Sequence, residues 1–137
     1  MSGRRSLAAD RTGLAAIEFA VLVPVFLSFI LLLIAGAGLA WAQEVLQETA
    51  QSTARCMAAE PTTCATTSAI QTYATTRAAN DGLTLTSATI TPLSNQTCNG
   101  VTGMNQVTIS MPYQPLSGTL FSGMITLNAV ACYPTIA

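Results

Sequence analysis

The chain has 137 residues, of which 50% are apolar and only 8% charged, with a net charge of -1, so it has room for one modest domain and not for an elaborate enzyme. That little charge does not keep so apolar a chain monomeric in water unless part of it sits in lipid or against partner subunits, and the lack of a basic face argues against nucleic acid. There is no lysine and no histidine, which removes the usual general base, the usual zinc nitrogen and the Schiff-base amine, so no cofactor, metal or catalytic residue is expected.

Taken in chain order, the first feature is a short leader bearing Arg4, Arg5, Asp10 and Arg11, followed by an uncharged apolar run from Phe19 to Ala42. Pro24, Ser28, Gly36 and Gly38 interrupt it, all residues that membrane helices tolerate. At about 1.5 Å per residue the run crosses a hydrocarbon core of about 30 Å. Past the leader no arginine appears until Arg55, so the positive-inside rule places the N-terminus in the cytoplasm and the remainder outside it: a single-pass protein of the bacterial inner membrane with a periplasmic C-terminal domain. The competing reading is a secretory signal cut after Ala40-Trp41-Ala42, leaving Gln43 as the new N-terminus. Signal cores run to about 7–15 residues, and this run is longer.

Glu18 stands at the lip of the apolar run. A carboxylate at the edge of hydrocarbon costs a few kcal/mol unless it reaches the interface, is protonated or meets a cation, so it is normally kept for a purpose. Its context is Gly13-Leu14-Ala15-Ala16-Ile17-Glu18-Phe19, with a proline at position 24. This pattern resembles the cleavage region of type IV pilins, and from Gly13 to Pro24, with the apolar run and Ala50 to Arg55 behind it, it is similar to the TadE-like pseudopilins and minor pilins of tight-adherence (Flp-type) pilus systems. The resemblance implies that a prepilin peptidase cuts after Gly13, that Leu14 is the mature N-terminus, and that Glu18 serves recognition or assembly. It implies membrane lipid, the peptidase, other pilins or pseudopilins and pilus assembly proteins as partners. Independently of any family, a cut after Gly13 creates an α-amino cation four residues from Glu18, and two such charges in lipid gain from pairing within or between subunits.

Beyond Ala42 the sequence turns polar without a helix breaker, and Val45, Leu46, Thr49, Ala50, Thr53, Ala54 and Met57 recur at helical steps on one face. The helix is expected to continue as a stem to about Ala59, ahead of Glu60-Pro61, because a residue before proline disfavours the α region. A second helix is expected over Ala65 to Asn80, ended by Asn80-Asp81-Gly82. The period then changes, and three antiparallel strands are expected over Leu83–Pro92, Met104–Tyr113 and Met124–Tyr133, with turns at 94–100 and 114–118.

The cysteines Cys56, Cys64, Cys98 and Cys132 all follow the apolar run, as suits two disulfides in an oxidising compartment. Cys56 with Cys64 and Cys98 with Cys132 is the favoured of the three connectivities that four cysteines allow; a zinc site lacks both the spacing and a histidine. The expected organisation is a leader over 1–13, a membrane helix over 14–42, a stem over 43–60 and a disulfide-stapled domain over 61–137, a pilin-like α+β fold. Glu44 and Glu48 share a helix face, which reads as a solvated stem and not as a pair of catalytic carboxylates. Two function classes remain: a non-enzymatic pilus component, or an unprocessed bitopic scaffold or binding protein.

Overall fold

The computed structural model describes residues 12–115 and 123–135; most of the leader, with Arg4, Arg5, Asp10 and Arg11, and much of the turn expected at 114–118 lie outside them. The fold is α+β: α1 (Thr12–Ala59), α2 (Thr67–Asn80), β1 (Thr89–Cys98), β2 (Val101–Tyr113) and β3 (Ile125–Pro134), the strands forming one antiparallel sheet in the order β1-β2-β3. The chain divides into two compact units, one up to Ala37 and one from Gly38 onward.

In the first unit the described residues are helical throughout, and Ile17, Phe19, Leu22, Phe26, Leu32 and Ile34 are exposed. An α-helix satisfies its own backbone polar groups, which is what a lipid-exposed segment requires. Pro24 brings no amide hydrogen, yet the helix is continuous through it, and the Ser28 hydroxyl is satisfied within the helix by donating to the Pro24 carbonyl at 2.7 Å.

The second unit is built around the other end of α1. Val45, Leu46, Thr49, Ala50, Thr53 and Ala54 are buried and Met57 partly so, the face that the sequence period marks. Ala50 and Ala54 share one core with Ala74 and Ala78 of α2, Leu83, and the inward rows of the sheet: Ile90 on β1, Val107, Ile109 and Met111 on β2, and Leu127, Ala129 and Ala131 on β3. The strand period of two puts each of these sets on a single face. The stem is therefore the central helix of its own domain. Its helical run stops at Ala59, two residues before Pro61.

One buried polar group in this core lacks a partner. The Thr53 hydroxyl donates to the Thr49 carbonyl at 2.7 Å, whereas the Thr49 Oγ1 has no hydrogen bond although the residue is fully buried. Thr49→Val keeps the shape and removes the unpaired hydroxyl, so it is expected to raise stability by about 1 kcal/mol. Thr53→Val, which deletes a satisfied group, is expected to give no such gain. Chemical denaturation of the two variants side by side checks the pair.

α2 starts at Thr67 and not at Ala65, because Thr66 is its N-cap: extended in backbone, with its Oγ1 accepting from the Ala69 amide at 3.2 Å. At the other end Leu83 N–H donates to Ala78 O and Gly82 N–H to Ala79 O, a Schellman closure with Gly82 in the left-handed region at φ 83°. A Cβ on Gly82 would also lie 3.6 Å from the Trp41 ring.

The first strand is where the sequence expectation needs correction. Leu83 to Ala88 is irregular, with Ser87 in the left-handed region at φ 59°, and β1 begins only at Thr89. It then runs through the stretch expected as a turn, absorbing Asn95 (φ 57°) as a register irregularity between Leu93 and Gln96, and ends at Cys98. The real turn is Asn99-Gly100, both at positive φ (50° and 83°), the two-residue hairpin geometry whose twist matches that of the strands. β2 consequently starts at Val101, three residues before its expected beginning. Cys98 therefore lies at a strand end and not in a loop.

Candidate functional site

α1 places Gly13 at its second residue and Glu18 one turn beyond Leu14, with the Gly13 and Glu18 side-chain positions both exposed. In a helix, positions four apart lie on one face and the Cα–Cβ bond tilts toward the N-terminus, so Glu18 leans back over the turn that holds Leu14. Glycine has one of the lowest helix propensities, about 1 kcal/mol below alanine, and nothing lies within 4 Å of where a Gly13 Cβ would be, so the first turn is easily unwound and sterically open there.

The acids of the stem have a different role. Glu44 and Glu48 are exposed, and Glu48 accepts a hydrogen bond from the Arg77 guanidinium of α2. Asp81 stands 3.8 Å from Arg77, too far for a hydrogen bond but close enough for ion pairing. The hydrogen bond that Arg77 donates to Glu48, and then the charge of Asp81, raise the Arg77 pKa above its ordinary value. Glu48 thus ties α1 to α2 as an exposed ion pair, a kind that water and salt screen strongly.

Gln43 and Gln47, one helical turn apart, donate from their side-chain amides to the carbonyls of Asn128 at 2.9 Å and Val130 at 3.0 Å. Those carbonyls are two residues apart on β3 and so point to the same side of the strand. The glutamines occupy acceptors on a strand at the end of the sheet order, which would otherwise invite pairing with another chain. The sequence signal for this was their spacing beside the buried stripe, and the sequence reading passed over it. Between Gln47, Gln51 and Arg55 on one side and Gln106, Val130 and Tyr133 on the other runs an open groove of mixed polar and apolar lining. Among the described residues no three histidine, cysteine, aspartate or glutamate side chains gather as they would around a metal.

The structure joins Cys56 to Cys64, from the end of α1 to the loop before α2, and Cys98 to Cys132, from the end of β1 to β3. No free cysteine remains. Comparison with known families falls on α1. Residues 13–55 match the family model described as TadE-like protein. The chain carries a TadE-like segment. The TadE-like match opens at Gly13, includes Leu14 and Glu18, and closes at Arg55, inside α1, before either disulfide and before the sheet. No curated protein and no solved structure gives a significant match to the chain. The helix from Ala15 to Ala59 is long and apolar enough to cross a membrane, as fits a single-pass membrane protein.

Proposed function

We propose that the chain is a non-enzymatic pseudopilin or minor pilin acting in assembly of a tight-adherence pilus. It is held in the bacterial inner membrane by α1, with its N-terminus cytoplasmic and its C-terminal domain periplasmic, and is cut by a prepilin peptidase after Gly13. The observation that carries this reading is the TadE-like match, which begins at the glycine that the cleavage pattern marks and follows α1 to Arg55. The apolar residues exposed along the first unit supply the anchor, and the disulfides suit an oxidising periplasm.

Packing around the second half of α1 weighs against a signal peptide cut after Ala42. Ala42 is fully buried in the core and Leu39 packs against it, within a helix that is unbroken to Ala59. A cut there would sever the central helix inside the domain and delete two of its core contacts. A prepilin-type cut after Gly13 spares every residue of that core.

The expected mature N-terminus is Leu14. Intact-mass measurement of protein extracted from membranes reads it directly. Retention of residues 1–13, or a chain beginning at Gln43, overturns the proposed processing.

A further inference from the structure

The C-terminal unit has a distinctive end, the one at which α1 enters it. Gly38 is the first residue of that unit, and a Cβ there would sit 3.4 Å from the Tyr113 hydroxyl, which fixes the end of β2 beside the entering helix. Tyr113 pairs with Ile125, so the start of β3 lies at the same end. One turn along α1 from Gly38, Trp41 lies against Gly82 at the close of α2. Among the described residues at this end, three large apolar side chains are exposed: Met124 at 69%, Trp41 at 47% and Ile125 at 38%. Aromatic rings with one polar atom, beside exposed aliphatic side chains, are the composition of protein that sits at headgroup level.

We infer that this end of the domain, formed by Trp41, Tyr113, Met124 and Ile125, is seated in the headgroup region of the bilayer as a membrane contact additional to the α1 span. The inference rests on the reading of α1 as a membrane helix. Lipid is the occupant because the exposed apolar run of α1 leads straight into Gly38, so the chain leaves hydrocarbon at the residue that Tyr113 touches. The contact is apolar in kind. The nearby acids, Glu44 and Asp81, border a hollow with Trp41 and give no attraction to anionic headgroups, so uncharged lipid is sufficient.

Trp41 is the only tryptophan in the chain, which makes depth measurable. The full chain is reconstituted in phosphatidylcholine vesicles in which part of the lipid is brominated, either near the ester end of the acyl chains or near their termini. Four proteins are compared: the native chain, and Met124→Trp, Val101→Trp and Leu27→Trp, each of these three combined with Trp41→Phe. The native chain and the Met124→Trp protein are expected to lose emission to shallow bromines more than to deep ones. The Val101→Trp protein is expected to keep its emission, since Val101 is at the opposite end of β2, about 40 Å away. The Leu27→Trp protein is expected to be quenched by deep bromines. Quenching at Leu27 with none at Met124 overturns the seated domain and leaves the anchor standing; no quenching at Leu27 overturns the anchor itself. Equal quenching at Val101 and Met124 also overturns the inference, because it shows no preferred end. Met124 is so exposed that its replacement leaves the core intact, and non-reducing mass analysis confirms both disulfides in each protein.

Discussion

Glu18→Leu is expected to leave the chain in the membrane fraction with both disulfides formed, and to abolish its part in pilus assembly. Removing a carboxylate from the edge of an apolar helix makes insertion more favourable, so failure to reach the membrane cannot be the cause. What the substitution removes is a carboxyl group one helical turn from Leu14, whose amino group would be the new N-terminus under the proposed cut after Gly13. If a neighbouring subunit's new amino group meets Glu18, two unit charges about 4 Å apart at an effective dielectric of about 20 attract by about 4 kcal/mol before the cost of desolvating them. Glu18→Gln keeps the size and hydrogen-bonding capacity but not the charge, and is expected to fail almost as badly. Electron microscopy or shear-released pilus fractions report assembly, and intact mass of the same variants separates a peptidase that no longer recognises the chain from a processed subunit that no longer assembles. Normal piliation with Glu18→Leu would count against the proposed role.

The helices were legible because their signals are local. Val45 to Met57 recurs on one helical face, and that is the face in the core; Pro61 and the Asn80-Asp81-Gly82 run stop the helices where their backbone chemistry requires. At the start of α2 the expectation missed the Thr66 cap by two residues, since Thr66, Thr67 and Ser68 are all competent caps and only tertiary placement selects one. On β2 the alternation of Val107, Ile109 and Met111 marked the buried face correctly.

The first strand was harder because its composition and its hydrogen bonding disagree. Leu83 to Ala88 has strand-like residues, but Leu83 is committed to closing α2 through its bond to Ala78, and Ser87 turns the chain out of the extended region. The run 94–98 has turn-like composition, yet it is the end of an outer strand with Asn95 accommodated as an irregularity, held by β2 along one side. Asn99-Gly100 was the stronger signal for the hairpin, since only that pair supplies two adjacent positive φ values cheaply. At the start of α1, Gly13 and Glu18 were visible in sequence as a spacing. The domain end around Tyr113 was not, because it depends on β2 returning to Gly38 from 75 residues further along the chain.

The two disulfides are expected to differ in what they contribute, and the difference tests how the domain is held. Cys56 and Cys64 are 8 residues apart and close a small loop, whereas Cys98 and Cys132 are 34 apart and link the two outer strands of the sheet across β2. In the chain-entropy account a cross-link removes freedom from the unfolded state in proportion to the logarithm of the loop it closes, which gives about 2.5 kcal/mol for the short loop and about 4 kcal/mol for the long one. Whole domains of this size are stable by about 5–15 kcal/mol, so losing the long-loop bridge removes a large fraction of the total. Cys98→Ala with Cys132→Ala is therefore expected to lower the denaturant midpoint of the solubilised protein much more than Cys56→Ala with Cys64→Ala. Alanine is the right replacement because Cys98 is buried, where a serine hydroxyl would need a partner. The sheet gives a second reason for the order: β1 buries only Ile90 and Cys98, so with the bridge gone its far end is held by backbone pairing to β2 and little else. Fraying there should appear as proteolysis near Asn99-Gly100 in the Cys98 and Cys132 variant alone. An equal or larger loss from the Cys56 and Cys64 variant would instead place the weak point of the fold at the end of α1, where the stem turns toward α2.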